Sequence, residues 1–184
     1  MINPDRIFGR LGNRMFQMAF CYAYSLDNEV DFYFQDPKWF EGHEKEIKRL
    51  YSQNIPPKTD MVAIHVRRGD YVGNGFYVDL METEYYQKAM EQFPNADFIV
   101  FSDDIEWCMK KDIFKDCEFS HGQTDLYEMN LMASCIGQIV SNSSFSWWAA
   151  YISPYTQKVI APSKDNWYAD GIERTVCPTN WIRI

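Results

Sequence analysis

The sequence lacks the patterns that mark secreted and membrane-spanning chains. The residues from Met1 to Arg6 do not resemble a signal peptide, and no apolar run approaches the roughly 20 residues that cross a bilayer. The five cysteines are odd in number and widely spaced, and they contain no C-x-x-C pair. Cysteines of this kind are typical of free thiols in a reducing compartment. We therefore expect a soluble protein of the cytoplasm.

Basic residues are also fewer than acidic residues. The chain of 184 residues has 18 Lys and Arg against 26 Asp and Glu, which gives a formal net charge of −8. The phosphates of nucleic acids and of anionic lipids repel such a surface. We therefore expect no nucleic-acid partner and no membrane partner.

Several signature motifs are missing as well. The sequence has no G-x-G-x-x-G loop, no Walker phosphate-binding loop and no G-x-S-x-G nucleophile elbow. It also has no D-x-D spacing and no His/Cys cluster of the metal-ligand type. These absences argue against P-loop enzymes and serine hydrolases, and we expect no bound metal.

Apolar and amphipathic segments alternate from Met61 onward. The predicted strands are Met61–Val66, Asp97–Phe101, Ile136–Val140 and Lys158–Ala161, and the predicted helices are Glu82–Phe93, Ile105–Lys111, Asp125–Cys135 and Phe145–Ile152. This alternation predicts an α/β fold in which helices cover both faces of a Rossmann-type parallel sheet. With 46% hydrophobic residues, the chain can form one well-cored domain, or one domain with a small companion.

The residues before Met61 form a shorter and less regular part. The segments predicted there are a glycine-containing loop at Gly9–Asn13, an apolar helix at Met15–Ser25, a short strand at Asp31–Phe34 and an exposed helix at Glu41–Arg49. The two prolines within Ile55–Lys58 then indicate a boundary. We therefore divide the chain into residues 1–58 and residues 59–184.

A charged cluster ends the first strand of the predicted sheet, where ligands of open α/β sheets bind. Because side chains alternate along a strand, His65 and Arg67 share one face and are the predicted contacts of an anionic ligand. Arg68 points to the other face as a structural partner of Asp70 or Asp104, unless the glycine turn rotates it back. The alternative is that both arginines are merely solvated.

Two adjacent carboxylates end the next strand. Asp103 and Asp104 follow an apolar run, at the position where a base or a ribose lies in a Rossmann-like domain. A carboxylate at this position accepts hydrogen bonds from the edge of a guanine. Alternatively, Ser102 or Asp103 caps the helix that begins near Ile105. Both functions are compatible, because there are two aspartates.

Four small polar residues, Ser141–Ser144, connect the third strand to the next helix. The free N–H groups and the dipole at a helix N-terminus attract anions, and serine hydroxyls add donors. In the company of Arg67, we predict that Ser143 and Ser144 bind phosphate. The alternative is that one of these serines is only the helix N-cap. The two tryptophans that follow are predicted core residues.

Three motifs together resemble those of one enzyme family. They are Gly9-Arg10-Leu11-Gly12-Asn13-Arg14-Met15-Phe16-Gln17, His65-Val66-Arg67-Arg68-Gly69-Asp70-Tyr71 and Ser141-Asn142-Ser143-Ser144-Phe145-Ser146-Trp147-Trp148-Ala149-Ala150. In this order they are similar to the motifs of the family 11 glycosyltransferases, the α-1,2-fucosyltransferases. The segments Glu84–Tyr86 and Phe101–Asp104 extend the resemblance over most of the chain after Met61.

The resemblance implies a GT-B-like fold, GDP-fucose as the donor substrate without a cofactor, inversion at the anomeric carbon and no metal requirement. It implies that Arg67 holds the donor diphosphate and that Asp103 or Asp104 meets the guanine or the ribose. Together with His65 from the strand pattern, the candidate donor-binding residues are His65, Arg67, Asp103, Asp104, Ser143, Ser144 and Phe145. The resemblance also implies that Asn13, with Arg10 and Gly12 of the same loop, lies near the reaction centre.

The implied reaction agrees with these residue types. A sugar hydroxyl attacks C1 of fucose as GDP leaves, so negative charge grows on the β-phosphate. Arg67 and the amides near Ser144 would stabilise that charge, and one preorganised donor is typically worth about 3 kcal/mol. Asp70 is the first candidate for the general base, followed by Asp79 and Glu82. The predicted acceptor is a terminal sugar of a glycan, through the 2-hydroxyl of galactose.

The chain is short for this family. The stretch between the first two motifs, from about Asp27 to Asp60, is usually much longer in the family and builds most of the acceptor domain. We therefore expect an intact donor half and an abbreviated N-terminal acceptor half. Animal members carry a membrane anchor. Because no such segment is seen here, we expect the protein to be located in the cytoplasm of a bacterium or of a virus-infected host.

The short acceptor half leaves three alternatives open. The first is a non-catalytic module that binds nucleotide sugars or glycans without transferring them. The second is a different donor, such as GDP-mannose. The third is a homodimer that completes the site through an apolar patch at Met15–Tyr24.

Overall fold

Six parallel strands form the centre of the fold. The computed structural model describes residues 10–27, 40–122 and 124–184. The strands within these residues are Thr59–Val66 (β1), Phe98–Ser102 (β2), Glu118–Phe119 (β3), Cys135–Ile139 (β4), Lys158–Ala161 (β5) and Ile182–Arg183 (β6). They form one sheet in the order β3-β2-β1-β4-β5-β6, with every neighbouring pair parallel. This is the strand order of Rossmann domains, and it confirms the predicted α/β fold with a Rossmann-type parallel sheet.

Helices cover both faces of this sheet. They are Leu11–Asp27 (α1), Glu44–Tyr51 (α2), Tyr85–Glu91 (α3), Ile105–Cys108 (α4), Asp125–Ala133 (α5) and Ser144–Ile152 (α6). Buried residues of α1, α2, α5 and α6 form one hydrophobic core, and those of α3 and α4 form a second one on the opposite face. Along β1, Ala63 belongs to the first core, whereas Val62 and Ile64 belong to the second. Burial on both faces explains why the strand is a continuous apolar run.

The predicted segments after Met61 match these elements closely. The strand at Lys158–Ala161 has the predicted bounds, and the other three predicted strands differ by one or two residues at their ends. The prediction of one helix over Glu82–Phe93 was wrong in detail. A short 3₁₀ turn at Leu80–Glu82 precedes α3, because the Thr83 hydroxyl donates to the Leu80 carbonyl and accepts from the Tyr85 N–H. Those side-chain hydrogen bonds end one turn and begin the next helix.

The N-terminal helix begins earlier than predicted. It starts at Leu11 rather than at Met15, so Gly12 and Asn13 lie in its first turn and not in a loop. The second helix is Glu44–Tyr51 instead of Glu41–Arg49. Gly9 and the predicted strand at Asp31–Phe34 lie outside the described residues.

Aromatic packing holds α1 against α6. The ring of Phe16 lies 4.7 Å from Trp147 and 4.8 Å from Trp148, measured between centroids, and both tryptophans are fully buried. Their predicted place in the core is therefore confirmed. The first turn of α1 approaches the start of α6 so closely that a Cβ at Gly12 would lie 2.6 Å from the backbone nitrogen of Phe145. Only glycine fits at this crossing.

The apolar face of α1 is used within the chain. Met15, Phe16, Ala19 and Ala23 are buried in the same core as α6, and Phe20 of this face is buried as well. The described residues on either side of the predicted boundary at 58/59 therefore share a core. The division into two parts and the homodimer stay predictions.

The glycine crossing can be tested by stability. Replacing Gly12→Ala should lower the free energy of unfolding by about 1–3 kcal/mol, since the added methyl group overlaps the Ser144 and Phe145 backbone. Gly75→Ala is the matched control, because a Cβ there meets nothing within 4 Å. Urea denaturation followed by tryptophan fluorescence measures both. Equal stability of the two variants would contradict the close packing of α1 on α6.

Candidate functional site

The carboxyl ends of β1, β2 and β4 border a cavity of about 340 Å³. It lies where the strand order reverses, since β1 pairs with β2 on one side and with β4 on the other. Ligands of open α/β sheets bind at this switch point. Most of the predicted site residues line the cavity: Arg10, Gly12, Asn13, His65, Arg67, Asp70, Asp103, Ser143, Ser144 and Phe145. Asp104 does not line it, and neither do Asp79 and Glu82, the two further candidates for the general base.

Two tyrosine hydroxyls satisfy the backbone where the strands end beside this cavity. Tyr86 donates to the carbonyl of His65 over 2.9 Å. Tyr85 donates to the carbonyls of Val140, over 2.6 Å, and Ile160, over 3.1 Å. Both hydroxyls are buried, so they replace water as partners of these carbonyls. The Glu84–Tyr86 segment therefore shapes the carboxyl edge of the sheet.

Arg67 is held between two carboxylates inside the cavity. Its Nη1 lies 2.7 Å from Asp103 Oδ2, its Nη2 donates to Asp70 Oδ1, and its guanidinium carbon lies 5.1 Å from the ring centre of Tyr71. The side chain is only 10% exposed, so the alternative of a solvated arginine is wrong. Arg10 lies farther from the same carboxylates, 3.8 Å from Asp70 and 3.6 Å from Asp103.

Asp103 and Asp104 have different surroundings. Asp103 accepts a 2.8 Å hydrogen bond from the Arg68 backbone N–H and, through its other oxygen, pairs with Arg67. A side chain at residue 69, where glycine has a φ of +32°, would collide with this carboxylate. Asp104 instead accepts from the Trp107 N–H over 3.2 Å and caps α4. The cap is therefore Asp104, and the prediction that Ser102 or Asp103 caps this helix was wrong.

Arg68 stabilises the opposite face of the sheet. It is 7% exposed, and its Nη1 lies 2.8 Å from Asp79 Oδ2. Its guanidinium carbon stacks 3.6 Å from the ring centre of Trp107. The predicted orientation away from Arg67 is confirmed, whereas Asp70 and Asp104 were the wrong partners. Asp79 lies 11 residues after Arg68 in the sequence, and only the fold brings its carboxylate to the arginine.

His65 is a neutral residue of the cavity wall. It is 4% exposed, and its Nδ1 lies 2.9 Å from the Ser146 hydroxyl, which also accepts from the Ser141 N–H. Burial, followed by the nearby charge of Arg67, lowers the pKa of His65 to about 3. The imidazole therefore supplies a hydrogen bond to the site rather than a positive charge.

Two helix N-termini converge on the cavity. Ser143 is the N-cap of α6 and accepts from the Phe145 N–H over 3.3 Å. The hydroxyl of Ser144 donates to Asn13 Oδ1 over 2.7 Å and so joins the first turns of α1 and α6. Each helix directs the positive end of its dipole toward this region. The N-cap alternative and the anion-binding prediction are thus compatible at Ser143.

Aromatic residues that we did not predict form another wall. Tyr71 stacks on Tyr77, with 3.7 Å between centroids and 7° between planes, and Tyr77 pairs with Tyr168 through a β-bridge. Asn142 joins these segments by donating to the carbonyls of Val78, over 2.8 Å, and of Trp167, over 3.0 Å. Tyr71 and Asn142 could have been predicted as site residues, because both belong to the motifs that resemble those of the family. No spacing pattern marks Tyr77 or Tyr168.

A carboxylate on α5 was also missed. Glu128 lines the cavity together with Asp125, and both line an adjoining hollow at the ends of β2 and β3. The Ser120 hydroxyl donates to Glu128 Oε1 over 2.8 Å. Partial burial raises the pKa of Glu128 above its usual value. An amphipathic helix gives no sign of which of its acidic residues faces a ligand.

Residues 10–27, 40–122 and 124–184, which the structure describes, contain no group of three or more His, Cys, Asp or Glu side chains placed to hold a metal ion. In those same ranges, no helix combines the length and the apolar character needed to cross a membrane.

A cavity with arginines and helix N-termini at the switch point of a Rossmann-type sheet is typical of nucleotide-binding domains. Comparison with known proteins identifies the family. The sequence profile of glycosyl transferase family 11 matches residues 10–184. The chain therefore belongs to glycosyl transferase family 11.

Individual relatives agree with this assignment. The chain is 32% identical to an α-1,2-colitosyltransferase of Escherichia coli, over 87% of this chain and 64% of that protein. It is 30% identical to galactoside α-(1,2)-fucosyltransferase 1 of Rattus norvegicus, over 57% of this chain and 31% of the rat protein. The chain thus spans about three-fifths of the bacterial relative and a third of the mammalian one.

Among solved structures, a NodZ α-1,6-fucosyltransferase soaked with GDP-fucose matches with a TM-score of 0.43 and 14% identity. The match covers 86% of this chain and 64% of that structure.

The burial of His65 predicts a pH dependence of stability. Its pKa is about 3 in the folded chain against an ordinary value of 6.5, so the unfolded chain binds the proton first as the pH falls. The stability from neutral His65 is complete above about pH 6.5 and decreases by about 1.4 kcal/mol per pH unit below it. Urea titrations from neutral to acidic pH should therefore show a flatter dependence for His65→Gln. Ser146→Ala keeps the imidazole and should keep the slope; parallel curves for all three proteins would contradict a neutral His65.

Proposed function

We propose that the chain is a glycosyltransferase that moves fucose from GDP-fucose to a hydroxyl of a terminal sugar on a glycan, with inversion and without a metal. The 2-hydroxyl of a galactoside is the proposed acceptor group, because the rat relative is a galactoside α-(1,2)-fucosyltransferase and the bacterial relative is also an α-1,2-transferase. The observation that carries the proposal is the position of Arg67, which lies with two helix N-termini in one cavity at the switch point of the sheet. Family membership supports the same activity.

The diphosphate is proposed to bind between Arg67 and the start of α6. Arg67 supplies its Nη2 in place of the Asp70 contact while Asp103 keeps Nη1, and Ser143 and Ser144 contribute hydroxyls beside the helix amides. Charge that grows on the β-phosphate as GDP leaves would meet these donors without their rearrangement. Asn13, in the first turn of α1, and Arg10, just before that helix, are proposed to contact the reacting sugar.

The guanine is proposed to bind on the side of β2 and α5. Both oxygens of Asp103 already serve Arg67 and the Arg68 N–H, so this carboxylate positions the arginine. Glu128 is held by Ser120 on one oxygen and lines both the cavity and the adjoining hollow. A carboxylate in this place fits the paired N–H donors of a guanine edge. We therefore assign base recognition to Glu128 instead of Asp103 or Asp104.

Asp70 is the proposed general base. Its carboxylate is 58% exposed and lines the cavity, where an acceptor hydroxyl can reach it. Asp79 is occupied by Arg68 and by the Met81 N–H, and it lies outside the cavity lining. Glu82, at the end of a 3₁₀ turn, is also outside that lining. The geometry thus favours the first of the three candidates.

Titration calorimetry tests the donor assignment. We expect the purified protein to bind GDP-fucose in preference to UDP-galactose, and a comparison with GDP-mannose tests the choice of hexose. Arg67→Ala should weaken GDP binding about 10- to 100-fold, since charge-assisted hydrogen bonds to phosphate are lost. Arg49→Ala, an exposed arginine of α2, is the matched control. Unchanged affinity of the Arg67 variant would contradict the site.

A transfer assay with lactose separates the two candidate functions. The non-catalytic module predicts GDP binding without transfer to any sugar. Release of GDP that depends on lactose, with fucose appearing on the disaccharide, is the result expected of the enzyme.

The ion pair between Asp70 and Arg67 predicts opposite effects on binding and on transfer. A diphosphate must compete with this carboxylate, so Asp70→Asn should bind GDP about two- to fivefold more tightly. The same variant should transfer about 100-fold more slowly, because the base is lost. Asp60→Asn makes the same charge change at the opposite end of β1 and should alter neither value. Weaker GDP binding by Asp70→Asn would argue against the competition.

A further inference from the structure

The loop that follows β1 carries a structured segment beyond the cavity. Asn74 donates to the Asp70 carbonyl over 3.2 Å and accepts from the Phe76 N–H over 3.0 Å. The Phe76 carbonyl accepts from the Ala169 N–H over 3.0 Å. The next residue, Tyr77, forms the β-bridge with Tyr168, which precedes Ala169. The loop is therefore tied both to itself and to the C-terminal segment.

Phe76 of this loop is 42% exposed, but neighbouring side chains fix the position of its ring. Its ring packs edge to face on Tyr77, at 4.9 Å between centroids, and on Tyr168, at 5.3 Å. The Arg174 guanidinium carbon lies 4.9 Å from its centre, and Asp170 holds that arginine through two hydrogen bonds. An aromatic ring fixed in this way is preorganised for a ligand.

The ring continues the aromatic wall of the cavity. Tyr77 and Tyr168, which support Phe76, both line the cavity, and Tyr71 connects them to Arg67. A ligand that extends out of the site on this side therefore meets Phe76 next. The proposed guanine side is lined by residues of other elements, namely β2 and α5.

Sugar rings match such a surface. One face of a galactose ring presents mostly C–H groups with a small positive charge, and these pack against the negative face of an aromatic ring. The hydroxyls at the rim of the sugar can meet the nearby Arg174 and Asp170 pair. Phosphates and nucleobases have their partners elsewhere, at the helix N-termini and at Glu128.

We propose that Phe76 is a specificity-determining residue that stacks against the hexose ring of the acceptor glycan. This assignment rests on the proposed function and gives it an acceptor subsite. Because Asp70 and Phe76 belong to one loop joined by Asn74, stacking on Phe76 positions the acceptor relative to the proposed base. The acceptor half of the site thus begins within the Rossmann-type part of the chain.

Nuclear magnetic resonance tests this subsite directly. With GDP bound, selective saturation of aromatic protein protons should transfer to the C–H protons of the galactose ring of lactose. Phe76→Tyr should keep the effect, whereas Phe76→Leu retains apolar bulk without a flat face and should lose it. We expect lactose affinity to decrease about three- to tenfold in Phe76→Leu. Val72→Ala, on the same exposed loop, is the control that should change nothing.

The outcomes separate the subsite from the function. Unchanged lactose affinity in Phe76→Leu, or no lactose binding by the wild type with GDP present, overturns the subsite. A concentration-dependent dimer that is lost in Phe76→Leu would mean that a second copy of the chain covers the ring, and this also overturns it. Failure of the wild type to bind GDP overturns the proposed function instead. Calorimetry should give the same GDP affinity for the wild type, Phe76→Tyr and Phe76→Leu.

Discussion

The parallel pairing of β1 with both β2 and β4 is the constraint on which the site depends. It places three strand ends side by side. The helices that follow β1 and β2 pack on one face of the sheet, whereas the helix that follows β4 packs on the other. The crevice between these connections is the cavity. Tyr85 and Tyr86 satisfy the strand-end carbonyls with buried hydroxyls, so the strands can end there without water.

Charge balance around Arg67 is the second organising feature. An arginine with a nearly buried side chain needs compensation, and Asp103 provides it while also binding the Arg68 backbone. Asp70 is the more exposed of the two carboxylates and is therefore the one that an incoming diphosphate can displace. Under the proposed function, donor binding then releases the carboxylate that activates the acceptor. The same ion pair thus links the two halves of the reaction.

Sequence patterns predicted much of this arrangement because they report local physics. The period-two alternation in β1 placed His65 and Arg67 on one face and Arg68 on the other. The polar residues before α6 indicated a helix N-terminus with a capping serine. The predicted partners of Arg68 and the predicted cap of α4 were wrong. In each case several carboxylates lie close enough in the sequence to serve, and only the three-dimensional distances select Asp79 for Arg68 and Asp104 for the helix.

Local patterns in the amino-acid sequence specify the alternation of strands and helices, the strand ends that carry polar residues and the family to which the motifs belong. These properties follow from side-chain period and from turn residues, which act within a few positions of the chain. Long-range packing is what brings Glu128, Tyr77 and Tyr168 to the same cavity. It also seats Phe76 on the two tyrosines just outside the cavity and joins Asn13 to Ser144. Such contacts connect distant segments, and they depend on how helices pack across a sheet rather than on any local pattern.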